Sequence, residues 1–574
     1  MSRPARFDPH DPSRPAAPAP PAATDYPLLR FRRERPDIVA ETAERALSTV
    51  LRRTEPEYVL NDACLHEIRR LSESSPQEEV RELSEWKRLW RHLGGRSRTE
   101  LLTELSKLVR DYAEDVAGGF SEPVYSLASH VLPRALALLL TPERLPSLGG
   151  HLLQPHKLDR FLGERLRVEG SLEHLRQLAQ HGRSTLVCVP THLSNLDSPV
   201  MGYALQAAGL PPSTYGAGKN LFTNPVLGFF MRNLGAYRVD RRIRHDLYKD
   251  VLKTYSQVIL ERGYHSMFFP GGTRSRSGRV ESHLKLGLLG TTMTATIEGL
   301  RHKAGAAAGP AVRPMYIVPV TINAQLVLEA ETLIADYLKE TGKARFIIDD
   351  DESTQWRRIV DFMRSTMSHT GAIVVRFGAP LDVLGNPVDE AGRSLGPTGH
   401  PVELARYFRW RGQIQHVPQR DAEYMHETGE AITRSYRHNT VLMATHLLAH
   451  VMWRRIARAL PRLDLYRRLR QPLELGVPEA EVLADLERLQ ALLRGRGHLL
   501  GPYASGTPKE ALEAALAAFK SYHSAPAVLR QAPPETAGAP GAAPAPSGSA
   551  PIEPGDRQLL FYYQNRVESL GVEL

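Results

Sequence analysis

The stretch LVCVPTHLSNLDSPV, residues 186–200, decides the fold. A short, wholly apolar run closed by Pro190 reads as a strand buried on both faces. His192 and Asp197 follow it in the pattern H-x4-D. In sheets flanked by helices, reactive side chains gather where a strand ends and the next helix begins. A neutral histidine there can act as a general base. A carboxylate on its other ring nitrogen fixes the tautomer and stabilises the imidazolium that forms.

The spacing alone says little, because the chain repeats it at His245/Asp250 and His416/Asp421. The first pair falls in a charged helical stretch, HDLYKDVLK, where five residues turn about 140° around the axis and the side chains diverge. The second contains Pro418 and reads as a loop. Only His192 follows a predicted strand. Ser194 and Asp197 also have the spacing of a helix capping box.

Working outward, residues 151–400 alternate short apolar runs with amphipathic helices. Strands are predicted at 184–190, 236–239, 266–270, 315–322 and 372–377, and helices at 245–262 and 284–299. This alternation predicts an α/β fold with a mostly parallel sheet flanked by helices. Residues 301–310, RHKAGAAAGP, read as a flexible connection. Residues 26–150 read as a helical N-terminal domain, with apolar residues three and four apart in 38–51, 80–93 and 101–116. Residues 401–523 read as a helical C-terminal region. The Pro/Ala-rich residues 1–25 predict a disordered tail, and 524–555 a Pro/Ala/Gly linker. The last segment, 556–574, contains LLFYYQNRVESL, too apolar for a linker, and is expected to dock on the body.

The 574 residues are 42% hydrophobic and 24% charged, which excludes a disordered chain, a collagen and a polytopic membrane protein. Two cysteines, Cys64 and Cys188, exclude a disulfide framework and a four-cysteine zinc module. The net charge, 73 − 64 = +9, favours anionic partners. No apolar run is long enough to span a bilayer, and the N-terminus lacks the apolar core of a signal peptide. A cytoplasmic protein is expected, resting peripherally on the inner face of the plasma membrane.

Two further segments carry chemistry. FFPGGTRSRSGR, residues 268–279, runs from a predicted strand into two glycines and then Arg274, Ser275, Arg276 and Arg279. Glycines let backbone N–H groups turn inward, and arginines offer a planar fork to phosphate. It is not a P-loop, since G-x-x-x-x-G-K-[ST] is absent. GAYRVDRRIR, residues 235–244, ends a second strand in Arg238, Arg241, Arg242 and Arg244.

Together these segments resemble the glycerolipid acyltransferases, specifically the glycerol-3-phosphate 1-O-acyltransferases of the long bacterial and mitochondrial-type branch. THLSNLD is similar to that family's H-x4-D block, GAYRVDR to its block with Gly235 and Arg241, and FPGGTRSRSG to the block usually written F-x-E-G-x-R-S. YIVPVTIN, residues 316–323, resembles its fourth block, with Pro319. GFSEPVYSLASHVLPRALALLL, HNTVLMATHLLAH and LLFYYQNR extend the likeness beyond the sheet, so that it covers most of residues 118–574. One departure stands out: Gly271 occupies the position of the family's glutamate, and Glu281 is the next acid along the chain.

The resemblance implies that His192 deprotonates the sn-1 hydroxyl of glycerol 3-phosphate, with Asp197 orienting it. The oxygen would attack an acyl thioester, acyl-CoA or acyl-carrier protein, without a covalent acyl-enzyme, to give lysophosphatidic acid. Arg241, Arg274 and Ser275 would hold the phosphate, with Lys219 as a further basic candidate. Gly272 would shape the loop and Pro319 the acyl side. No metal or cofactor is implied. Dihydroxyacetone phosphate or a lysophospholipid is the alternative acceptor, and a non-catalytic phosphate- or lipid-binding relative is the alternative outside enzymes. Nucleic acid is not expected, because the basic residues lack interleaved aromatic platforms. A Cys188–His192 nucleophile and a zinc pair at His446/His450 are weighed and set aside as buried packing. Residues 441–469, apolar and then basic, have the composition of an interfacial helix facing anionic lipid, or of an ordinary helix packed on the sheet domain.

Overall fold

The computed structural model describes residues 26–73, 77–140, 162–163, 165–180, 184–223, 225–305, 312–341, 372–531 and 550–572. The predicted tail (1–25), the middle of the predicted linker (532–549) and residues 306–310 lie outside the described residues.

Seven strands make one sheet: β1 Leu166–Gly170, β2 Thr185–Pro190, β3 Thr214–Gly218, β4 Ala236–Val239, β5 Ser266–Met267, β6 Met315–Ala324 and β7 Ile373–Phe377. Their spatial order is β1-β7-β6-β2-β5-β3-β4. The strands β6, β2, β5, β3 and β4 run parallel, while β7 runs antiparallel to β6 and carries β1 beside it. All six residues of β2 and all ten of β6 are buried, as a strand covered on both faces must be. Each buried Val or Leu there contributes roughly 1.5–3 kcal/mol of apolar burial. Because the five parallel strands end at one edge, the residues following β2, β3, β4 and β5 share a rim.

The predicted strand 266–270 shortens to two residues, although the Phe268 N–H still donates to Cys188 O (3.2 Å). Pro270, with no N–H, cannot extend the ladder. The predicted helix 245–262 runs from Asp246 to Glu261. His245 stands just outside it as the N-cap, its Nδ1 accepting the Tyr248 N–H (3.3 Å). The predicted helix 284–299 runs Leu286–Gly305, so it takes in the first half of the predicted connection.

Among the described residues, five α-helices precede the sheet: Phe31–Leu51, Pro56–Ser72, Gln77–Arg91, Arg98–Val116 and Glu122–Leu140. They share a core with the helix Asp246–Glu261, built on Phe31, Ile38, Leu105, Val109, Tyr255 and Val258. Ion pairs seal its margin: Arg45–Glu261 and Arg262–Glu41, both 2.6 Å.

The C-terminal region corrects one expectation. The helix Ala444–Ala459 is not a membrane-facing surface, since every residue from Ala444 to Trp453 is buried. It packs against the helices Pro508–Ser521 and Arg557–Glu568. A helix that is apolar on all sides belongs inside a core rather than at an interface. Its basic end is held by acids, with Arg455 2.6 Å from Asp485 and 2.8 Å from Glu481. Among the described residues no helix is long and apolar enough to cross a membrane. The ends of the predicted linker are ordered too: Val528–Arg530 pairs antiparallel with Ile552–Pro554.

Candidate active site

Past Pro190 the β2–β6 ladder continues for one more residue. The Thr191 N–H donates to Val320 O (2.9 Å), and its hydroxyl accepts the Ile322 N–H (3.0 Å). The chain then turns, and His192 sits at the centre of the sheet's rim. Asp197 opens the helix Asp197–Ala207, where the positive end of the helix dipole favours a carboxylate. Its Oδ2 accepts from His192 Nδ1 (2.8 Å), the Leu193 N–H (2.5 Å) and the Ser194 N–H (2.9 Å). A carboxylate can only accept, so Nδ1 carries the hydrogen and Nε2 keeps a lone pair. The imidazole stacks on Phe269, ring centroids 4.1 Å apart. No Ser194/Asp197 capping box forms, because the helix starts only at Asp197 and no side chain caps it. The Ser194 hydroxyl instead donates to Glu329 (2.8 Å).

The glycine-rich loop packs directly on this histidine. The Ser275 N–H donates to His192 O (2.7 Å), while its hydroxyl turns back to Arg279 O (2.9 Å). Gly272 has φ +75°, a backbone that side chains other than glycine's rarely adopt. Arg274, its side chain only 10% exposed, lies 3.6 Å from Glu329. Glu329 also accepts the Asn195 N–H (3.0 Å) and so ties Arg274 to the turn that carries His192. Burial pushes the Glu329 carboxyl above its ordinary range.

Sequence reasoning missed three residues here. Glu329 follows β6 and gave no motif. Lys285 lays its side chain across Gly272, with Nζ 2.7 Å from the point a Cβ would occupy. Its signal was only a lysine six residues after Arg279. Arg566 is fully buried in the C-terminal helix and donates to Ile322 O (3.2 Å) and Asn323 Oδ1 (3.4 Å).

Other predicted residues lie apart. Lys219 follows β3 and sits 3.3 Å from Asp115 and 3.9 Å from Asp240. Arg238 also pairs with Asp115 (2.8 Å). Arg241 is exposed in the turn after β4. That edge strand is three places from β2, about 14 Å at ordinary strand spacing. Arg241 thus stands on the same rim as Arg274, at its edge-strand end. Pro319 is buried inside β6, opposite Val189, and its carbonyl accepts the Gly378 N–H (2.8 Å). Cys188 is buried in β2, where desolvation pushes its thiol up to about 12. His446 caps its own helix by accepting the Met443 N–H (3.0 Å). No metal-ligating cluster occurs among the described residues.

Residues 165–323 match the model of the Acyltransferase family. The chain is 32% identical over 226 residues to a glycerol-3-phosphate acyltransferase of Aeromonas hydrophila, covering 39% of this chain and 25% of that protein. It is 31% identical over 238 residues to one of Pasteurella multocida, covering 41% and 26%. A third, from Pseudomonas aeruginosa, is 29% identical over 211 residues, covering 37% and 22%. The chain thus spans about a quarter of the length of the curated relatives it matches. The region that folds as β1 to β6 is thus the part that matches the Acyltransferase family model, and through it the chain is similar to glycerol-3-phosphate acyltransferases.

Proposed function

We propose that the chain transfers a fatty acyl group from a thioester to the sn-1 hydroxyl of glycerol 3-phosphate, giving lysophosphatidic acid. The observation that carries this reading is the His192–Asp197 pair, its Nε2 left as a base beside the cationic loop of Arg274. His192 Nε2 takes the hydroxyl proton as that oxygen attacks the thioester carbonyl. The tetrahedral intermediate collapses, the C–S bond breaks, and the imidazolium returns its proton to the departing thiolate. Asp197 stabilises the imidazolium in between. No acyl-enzyme is needed, and buried Cys188, its thiol pushed up to about 12, is unsuited to form one.

Arg274 and Lys285 flank the glycine loop and would hold the phosphate, with Ser275 and Gly272 shaping its floor. Arg241 and Lys219 form an outer set of cations on the same rim, positioned to receive a longer anionic ligand. Fixed cations acting on a dianion supply positioning and electrostatic stabilisation. The donor is acyl-CoA or acyl-carrier protein, with no metal or further cofactor. The net charge of +9 and the amphipathic product support a site of action at the anionic inner face of the plasma membrane.

The test is an acyl-transfer assay with purified protein. It crosses glycerol 3-phosphate, dihydroxyacetone phosphate and a lysophospholipid with acyl-CoA and acyl-carrier protein. Glycerol 3-phosphate is expected to be the best acceptor with at least one donor. Preference for another acceptor would move the reading to that substrate. Absence of turnover with all three would leave the chain a binding relative.

A further inference from the structure

Glu281 is an acid with a buried carboxyl end that the mechanism above does not use. It leaves the glycine loop just after Arg279 and turns back beneath His192, where its Oε1 accepts the His192 N–H (2.7 Å). Its Oε2 is fully buried and has no hydrogen-bond partner among the described residues. That oxygen faces Gly271. A Cβ built on Gly271 would stand 2.6 Å from Oε2 and 2.9 Å from the carboxyl carbon. One of the two must give way, so in this arrangement the carboxylate occupies the volume that a side chain at 271 would need. Gly271 has no left-handed backbone to explain it, unlike Gly272. Its lack of a side chain is accounted for by Glu281.

The acid is held from the far end of the chain. Arg566 lies in the helix Arg557–Glu568, and its charge acts on Glu281, opposing the burial that raises that carboxyl to about 7. Arg566 also donates to Arg279 O (3.4 Å), two residues before Glu281. The same helix grips the loop elsewhere: Asn565 Nδ2 donates to Ser277 O (2.8 Å), and Arg279 pairs with Glu568 (2.9 Å). The Ser569 hydroxyl accepts the Val280 N–H (3.3 Å). Gly278 completes the fit, since a Cβ there would meet Tyr562 O at 2.2 Å.

We propose that Glu281 is the positioning residue that fixes the backbone of His192, that Gly271 is bare to admit its carboxylate, and that Arg566 makes the C-terminal helix part of this support. The proposal rests on the acyl-transfer reading for its kinetic consequence, and on geometry alone for its steric one. A carboxylate on a short side chain at 271 would reach the same place from the opposite wall. The two positions should therefore exchange roles.

The experiment compares Glu281→Ala, Gly271→Asp and the double variant with the intact protein. Glu281→Ala should lower kcat about 10–100-fold while both KM values stay within about twofold, the signature of lost alignment rather than lost binding. Gly271→Asp should lower both Tm and kcat. The double variant should recover at least about tenfold in kcat over the weaker single variant, and most of the lost Tm. Should Glu281→Ala fail to fold, Glu281→Gln keeps an acceptor for the His192 N–H and carries the same kinetic expectation at smaller size. Wild-type kcat in folded Glu281→Ala overturns the proposal, and so does a Gly271→Asp variant with wild-type Tm and kcat. So does a double variant whose Tm losses simply add. If the intact protein transfers no acyl group, the proposed function fails by itself, and the Tm comparison still decides whether 271 and 281 compete for one space.

Discussion

Two histidines in this chain make the same local pair, and they differ in what their far nitrogens meet. His192 meets Asp197 through Nδ1 at 2.8 Å, and His416 meets Asp421 through Nδ1 at 3.3 Å. Each aspartate also accepts a backbone N–H just after its histidine, from Leu193 and from Val417. His416 even follows a strand, the two-residue Gln413–Ile414, contrary to its reading as plain loop. The difference lies at the far nitrogen. His416 Nε2 faces Glu298 at 3.4 Å, and Arg420 draws on Asp421 at 2.7 Å. Hydrogen bonding to Glu298 raises the His416 imidazole above its ordinary range, which favours the protonated form that has no lone pair to offer. His192 Nε2 meets no carboxylate among the described residues. The third histidine of this spacing, His245, is a buried N-cap whose pKa burial lowers to about 4, and its Asp250 pairs with Arg53 (2.5 Å). The spacing makes a contact; the second nitrogen decides what the contact is for.

The largest effect tests that comparison directly. His192→Ala should reduce kcat about 10²–10⁴-fold, as expected for loss of a general base. His416→Ala should leave kcat near wild type. His245→Ala should lower Tm, because it removes a buried cap, and yet spare the chemistry of the folded fraction. Equal kinetic damage from His416→Ala would show that the two pairs are not different in kind.

What the sequence disclosed follows the same division. β2 and β6 were legible because continuous Val, Ile and Leu runs have one stable home, the middle of a covered sheet. β1, LRVEG, and β3, TYGAG, escaped notice: the first alternates charge with apolar residues, and the second is two-fifths glycine. Their partners, β7 for the first and β4 and β5 for the second, make them strands. Within the site, His192, Asp197, Arg274 and Gly272 declared themselves as a block after a strand. Glu329 and Arg566 did not, because each arrives from a different element, and Arg566 from 285 or more residues beyond Ser277, Arg279 and Glu281. Burial of a lone acid or arginine carries no local pattern. Residues 441–469 misled for the complementary reason: an apolar helix with a basic end looks the same whether lipid or protein covers it.

The inner and outer cations extend the comparison to binding. Arg274 is nearly buried beside the His192 turn, whereas Arg241 is exposed on the edge strand. A charge-assisted hydrogen bond is worth about 1.5–3 kcal/mol, so Arg274→Ala should raise the KM for glycerol 3-phosphate about tenfold or more. Arg274→Lys should recover little, because it loses the planar fork. Arg241→Ala should raise the same KM by a few-fold at most. Both constants are measured for both substrates in one low-salt buffer. A larger effect on the thioester KM from Arg241→Ala would assign the outer cations to the donor. A larger effect on glycerol 3-phosphate would mean that ligand binding draws the edge strand inward.

The smallest effect concerns His416 as a structural ion pair. Its folded pKa is raised from the ordinary 6.5, chiefly by hydrogen bonding to Glu298. A raised histidine contributes stability that is fully present below 6.5 and disappears as pH climbs through the folded value. Glu298 is lowered from 4.5 to about 2, again with His416 as the leading cause. A lowered carboxylate contributes stability that is present above 4.5 and disappears as pH falls toward 2. The two windows overlap between about pH 4.5 and 6.5, where the pair is fully formed. His416→Gln should therefore lower Tm most near pH 5.5 and progressively less toward pH 9. The side chain is partly exposed and the pair is screened, so the difference between the two pH values should be of order 1 °C. Calorimetry of both proteins across that range measures it. A Tm deficit that does not change with pH would mean that His416 acts through packing alone. A deficit that grows toward pH 9 would mean that its neutral form is the one the fold holds, and that it could serve as a base after all.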